Sequence, residues 1–350
     1  MSGTWDDRPD RTMENKPQRR RRKADRKGRI IAVTGVHGAL AQRLVSRLDE
    51  DPRVARLVLI DRNPAMAPLL KAASYRVDLT EANADGHIAE ILRRECVTTL
   101  VHLAFRAGPR ADVRGAYALE SVGTMHVISA AAQAAGVGSP LRHLLAVTTG
   151  LVYGARRAGP SVLSEAEPLC GAPGYGFVEG KVDADRQLMA ARGRLAIPLT
   201  VLRPSVMLGP GDDGVMADYL GASVVPTIWG YDPLVQLIHP EDVVEACRTS
   251  IDRQSDGVYN LAGTGALPLG TVVRLAGKLD VPFLACAAPT ALDVLWRLGA
   301  SPVPGGHAPY LQYPVVLDGT LAVRDLAFKV RRGTLETLEH FLGRRFSLAA

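Results

Sequence analysis

The chain has 350 residues, 47% of them hydrophobic and 22% charged, with 42 Lys/Arg against 36 Asp/Glu and a formal charge of +6. That composition excludes a collagen-like or wholly disordered chain, and no uncharged apolar run reaches the roughly 18 residues that cross a bilayer. Residues 1–29 hold 11 Lys/Arg and 5 Asp/Glu, a surplus equal to that of the whole chain, so the rest balances to zero. The isoelectric point near 9.2 therefore belongs to a tail.

Residues 1–28 carry almost no apolar side chains and include the unbroken basic run Arg19–Lys23, so a disordered tail is expected. A neutral body with 5% aromatics argues against nucleic-acid binding except through that tail. Cys96, Cys170, Cys247 and Cys286 are scattered with no close pair, which argues against a metal site or a disulfide framework. The N-terminus lacks the apolar centre of a secretory signal. The expectation is a cytoplasmic protein with no membrane span.

The pattern changes at Arg29. Ile30–Val33 is a short apolar run closing at Thr34-Gly35, as in a strand buried on both faces. Leu40, Leu44, Val45 and Leu48 follow at helical spacing, then a strand Leu57–Ile60 closing at Asp61. Tyr75–Val77 predicts a strand, 87–95 a helix, Thr99–Ala104 a strand, 114–136 an Ala-rich helix and His143–Thr148 another strand. Strands alternating with helices predict a doubly wound parallel sheet with right-handed crossovers. A loop is expected over 155–174, a helix over 176–193 and a strand over Leu199–Leu202 running into Arg203-Pro204. Beyond 205 short elements mix with many prolines and glycines, with helices expected over 241–251 and 334–343.

The turn Thr34-Gly35-Val36-His37-Gly38-Ala39-Leu40-Ala41 joins the first strand to the first helix. Gly35 permits the tight turn, Gly38 lets the backbone approach a pyrophosphate, and Ala41 lets the helix pack on the sheet. The unpaired N–H groups of the helix start, around Gly38, Ala39 and Leu40, suit phosphates, with His37 contributing backbone rather than imidazole. Asp61 stands 26 residues after Gly35, where a carboxylate can accept from an adenosine ribose and repel a 2′-phosphate. This favours NAD over NADP, although the adjacent Arg62 could bind that phosphate. The plainer account of Asp61 is a cap on the next element.

In these features the chain resembles the extended short-chain dehydrogenase/reductases, the NAD-dependent epimerases and dehydratases, over roughly 29–343. Further matches are Asp78-Leu79, similar to the adenine-contacting segment, His102-Leu103-Ala104, similar to the fourth-strand signature, and Val122-Gly123-Thr124. Val147–Gly154 resembles the catalytic strand, with Thr149 at the catalytic Ser/Thr position. Leu202-Arg203-Pro204, Gly209-Pro210-Gly211, Ile238–Val243 and Val258-Tyr259-Asn260 complete the series. The resemblance implies a Rossmann-type α/β fold over 29–204, with elements returning near 236–260, and a smaller C-terminal α/β substrate lobe over 205–350. It implies NAD held by Gly35, His37, Gly38, Ala39, Leu40, Asp61, Arg62, Asp78, Leu79, Leu103, Ala104, Lys181 and Pro204. The implied substrate is a small molecule such as a nucleotide sugar, and a homodimer through helices near 114–136 and 176–193 is a further implication.

The resemblance also implies a Tyr and a Lys four residues apart, since positions i and i+4 share a helix face. The Lys would hold the nicotinamide ribose and lower the phenol's pKa for proton transfer. Lys181 is present, but Phe177 stands where the Tyr belongs. Tyr175 lies on the wrong face of a regular helix and could substitute only if the helix begins after it and a loop turns its ring inward. Glu120 occupies a position where the resemblance implies Asn, weakening the expected packing. Tyr153 is expected to line the pocket without transferring a proton. His239 and Asp242 are expected to buttress the fold, with Asp242 or Glu241 capping a helix. Two functions follow: an NAD-dependent oxidoreductase or epimerase using Thr149, Lys181 and Tyr175, or an NAD-binding regulatory or scaffolding protein without turnover.

Overall fold

The computed structural model describes residues 28–63, 69–109 and 113–346, so the Arg19–Lys23 run and the expected tail over 1–27 lie outside the described residues. Seven parallel strands form one sheet: β1 (Arg29–Thr34), β2 (Val54–Asp61), β3 (Ala72–Arg76), β4 (Thr99–His102), β5 (His143–Val147), β6 (Leu199–Pro204) and β7 (Gly257–Leu261). Their order is β7-β6-β5-β4-β1-β2-β3. Val33 of β1 stands beside Leu59 of β2 on one side and Val101 of β4 on the other. The chain thus builds outward from β1 in both directions, opening a crevice beyond the carboxyl ends of β1 and β4.

Both faces are covered, which is why the strands read as continuous apolar runs. On one face α1 (Ala39–Glu50) buries Leu44, Val45 and Leu48 against Val33 and Val101. On the other, α2 (Ala84–Arg94) brings Ile88 and Leu92 against Ala32, Val58 and Leu100. Each such side chain contributes about 1.5–3 kcal/mol by leaving water.

The Ala-rich helix expected over 114–136 is interrupted. α3 (Val113–Tyr117) runs through a π-turn, Ala118–Val122, into α4 (Gly123–Ala134). The neighbouring α5 (Gly176–Ala191) packs along it, with the Gln187 amide and the Ser121 hydroxyl both donating to the Asp183 carboxylate. β4 ends at His102, two residues earlier than the sequence suggests, because Leu103 and Ala104 leave the ladder to line the crevice.

After β6 the chain forms three two-stranded ribbons, pairing Val206–Met207 with Leu237–Ile238, Val224–Ile228 with Leu279–Phe283, and Leu234–Val235 with Leu267–Pro268. Leu220, Val225, Val272, Leu292 and Leu311 give these pieces a core of their own. Between them α6 (Pro240–Arg253) and β7 return to the sheet, and β7 closes its edge on β6. Among the described residues no helix is long and apolar enough to cross a membrane.

Candidate active site

The turn after β1 is glycine-dependent for two reasons. Gly35 has φ +75°, and a Cβ there would fall 2.4 Å from the Ala104 Cα, so neither conformation nor space admits a side chain. Gly38 begins α1, with nothing nearer to a Cβ than the Gly35 carbonyl at 3.8 Å, so its lack of a side chain leaves open space above the turn. No side chain caps α1. The first-turn N–H groups of Ala39 and Leu40 are then available to an anion.

A cleft of about 340 Å³ runs from this turn past Asp61, Arg62, Asp78, Leu79, Leu103 and Ala104. Asp61 ends β2, and its Oδ1 accepts from the Asn63 N–H at 3.2 Å, closing a local turn after the strand. Asp78 accepts from the Thr80 N–H at 2.9 Å and hydroxyl at 2.7 Å, bonds that hold its carboxyl below the ordinary range, helped by the Arg62 charge. The His37 carbonyl accepts from the Gln42 amide, while its imidazole Nε2 is buried at the edge of the cleft without a partner among the described residues.

A second cavity, of about 170 Å³, continues from the first and shares Gly38, Leu103, Phe105 and Arg106 with it. Thr149, Phe177, Lys181 and Pro204 line it. Thr149 follows β5 in extended conformation and accepts from the Leu151 N–H at 3.3 Å, which leaves its hydroxyl hydrogen to donate. Its neighbour Thr148 is engaged elsewhere, donating to Asp185 at 2.7 Å. Asp185 binds Arg203 at 2.5 Å, Arg203 donates to the Tyr153 hydroxyl at 2.8 Å, and that hydroxyl donates to Asn260 at 2.7 Å. Tyr153 is therefore a fully buried strut beneath the cavity rather than part of its lining, contrary to expectation.

Phe177 and Lys181 share one face of α5, with the ammonium 4.4 Å from the ring centroid. Nζ donates to the Arg106 carbonyl at 2.8 Å and forms a buried ion pair with Glu120. Glu120 sits in the π-turn and also accepts from the Arg106 N–H at 3.1 Å. Burial pushes Lys181 down and Glu120 up from their ordinary pKa values, and each charge opposes the other's shift. The Glu120 Oε2 has no hydrogen-bond partner and lies against α5, where a Cβ on Gly180 would come within 2.9 Å of it. The sequence marked Glu120 only as a lost amide. The one local signal was an acid within an Ala-rich helix, which names no partner.

Tyr175 stands immediately before α5, so the helix does begin after it. Its ring, however, is packed between Phe177, His307 and Tyr310, with the hydroxyl 3.5 Å from His307 Nδ1, and it is not part of the cavity wall. Burial pushes the phenol far above its ordinary value. His102 bridges Thr34 and Thr124 at 2.8 and 3.0 Å, and burial pushes it down to about 3. The cap of α6 comes from His239, which accepts from the Glu241 N–H at 3.2 Å. Asp242, expected to share that capping, instead accepts from the Arg331 and Arg332 N–H groups.

Residues 31–262 match the model of the NAD dependent epimerase/dehydratase family. An uncharacterized protein of Mycobacterium tuberculosis is 28% identical over 322 residues, 90% of this chain and 84% of its own. Among solved structures, MoeE5 in complex with UDP-glucuronic acid and NAD has a TM-score of 0.69 at 20% identity, covering 90% of this chain and 98% of that one. UDP-glucose 4-epimerase with UDP-glucose from Thermotoga maritima has a TM-score of 0.67 at 16% identity, with 90% and 97% covered. At these identities the two structures share the fold.

Proposed function

The chain belongs to the NAD-dependent epimerase/dehydratase family, and from that we propose that it binds NAD along the joined cleft and cavity and meets a hydroxyl- or carbonyl-bearing substrate beside Thr149. The observation that carries this reading is the continuity of the two spaces through Gly38, Leu103, Phe105 and Arg106. Gly35, Gly38 and the first-turn N–H groups of Ala39 and Leu40 would hold the pyrophosphate, with the unpartnered His37 Nε2 beside them. Asp61 would take the adenosine ribose, Asp78 and Leu79 the adenine end, and Leu103, Ala104, Pro204 and Lys181 the nicotinamide end. When bound, NAD supplies a nicotinamide ring able to accept or return a hydride.

Thr149 would donate to the substrate oxygen. Position 177 offers no proton, and the Tyr175 hydroxyl is buried outside the cavity wall. Thr149 and the Lys181–Glu120 pair are then polar groups that could handle a proton at this end. The capture of Lys181 by Glu120 and the Arg106 carbonyl favours the second reading, an NAD-binding regulatory or scaffolding protein without turnover. MoeE5 and the Thermotoga epimerase hold nucleotide sugars. For this chain the proposal goes as far as a hydroxylated small molecule.

Calorimetry on the full chain tests the premise. NAD should bind more tightly than NADP, and Asp61→Ala should narrow the difference. Binding of neither dinucleotide would overturn it. Turnover in the natural protein that survives Tyr175→Phe and falls with Thr149→Val supports the enzyme reading. Turnover that arises only in Phe177→Tyr supports the inactive one.

A further inference from the structure

We infer that the cavity beside Thr149 takes an uncharged, largely hydrocarbon alcohol or ketone and not a diphosphate-bearing sugar, an inference that rests on the placement of the reacting end proposed above. The wall away from the sheet is built from Met207, Val215, Met216, Leu234, Leu311 and Val315. Three of the polar side chains that reach the same space have their polar atoms engaged by the protein. The Gln236 amide donates to the Gly263 carbonyl at 3.0 Å and the Leu317 carbonyl at 3.3 Å and accepts from the Leu317 N–H at 2.9 Å. Tyr310 donates to the Leu151 carbonyl at 2.9 Å, and Tyr219 to the Pro226 carbonyl at 2.7 Å. What these residues show the cavity is carbon. A ligand with many hydroxyls would lose water there without regaining its hydrogen bonds.

The charges point the same way. Recognition of a diphosphate calls for Arg or Lys in good geometry. Among the described lining residues the cations are Arg106 and Lys181, and both lie toward the end shared with, or adjoining, the NAD cleft, with Lys181 already paired to Glu120. Of the two carboxylates among the described lining residues, Asp213 is shared with the NAD cleft, like Arg106, and Asp212 belongs to this cavity, where its charge would oppose a phosphate. The Asp212 Oδ2 is buried with no partner, and burial, with the Asp213 charge adding, pushes that carboxyl up to about 6. A carboxyl with one oxygen left open suits a single hydroxyl, as does Thr149. The fitting ligand is a hydrocarbon body bearing one or two oxygens.

Calorimetry on the full chain, with and without saturating NAD, can use straight-chain secondary alcohols from hexanol to nonanol, with UDP and UDP-glucose as the charged probes. Affinity should rise about threefold to fourfold per added methylene, and neither UDP nor UDP-glucose should compete. Competition by either, or affinity independent of chain length, overturns the inference. Leu234→Asp, at the half-exposed lip, should weaken alcohol binding about tenfold or more by placing a charge against hydrocarbon, with NAD affinity unchanged and Leu234→Met behaving as the natural protein. Unchanged alcohol affinity in Leu234→Asp and in Met216→Gln would remove the cavity as the site. The dinucleotide reading fails separately, by absence of NAD binding, and the arm without NAD keeps the cavity test standing.

Discussion

Glu120 and Lys181 make each other tenable: either charge alone would sit in an interior that strongly disfavours it. Glu120→Gln or Lys181→Met alone should cost about 3–5 kcal/mol in urea unfolding, since each leaves one buried charge unpaired, and the double variant should recover much of that loss. A loss below about 1 kcal/mol in both single variants would mean that the pair is already neutral in the folded protein. Gly35 stood out in the sequence through its strand-to-helix turn, and Thr149, Phe177 and Lys181 only through the family resemblance. The ion pair did not, because its members are 61 residues apart and meet only when two helices pack. The direction of the Tyr175 ring was hidden for the same reason, being set by His307 and Tyr310 from far along the chain.

The contact between α5 and the π-turn depends on a missing side chain. A Cβ at Gly180 would meet Glu120 Oε2 at 2.9 Å and the Tyr117 Cα at 3.3 Å, and the latter is backbone and cannot turn aside. Gly180→Ala should therefore destabilise the protein by about 1–3 kcal/mol. The cost should be smaller when measured in a Glu120→Asn background, and a double-mutant cycle showing strict additivity would refute the contact. β1, β2, β4, β5 and β6 were legible to within a few residues because their buried stretches leave apolar runs. The ribbons after β6 were not, since two-residue strands have no periodicity and their partners come from distant segments. The π-turn was illegible because an Ala-rich stretch satisfies either helical period.

Across the whole molecule, stability should depend on histidines kept neutral by burial. His102 is pushed down to about 3, and His143 and His307 to about 4. The unfolded chain takes up protons near pH 6.5 while the folded one does not, so stability falls as pH drops from 6.5 toward 4. Each histidine contributes about 1.4 kcal/mol per pH unit in that window. Urea midpoints at pH 7 and pH 5 measure this, and equal midpoints would show that these rings are reached by solvent. The doubly wound parallel sheet was legible from alternation alone, and its strand order was not. The exchange of α6 and β7 back to the sheet came only through resemblance, because nothing in the residues of 236–260 says which sheet edge they join.

A π-turn holds one residue more than the α-helical turn it replaces. In genetic terms, Ala118–Val122 is what a single inserted codon leaves inside a helix. Loss of one triplet there would restore an ordinary helix with its two flanks in phase, and remove the wide turn from which the carboxylate reaches the lysine. A lysine held by an acid and a lysine left open to a ligand thus stand one in-frame mutation apart, a short step for a lineage to take in either direction.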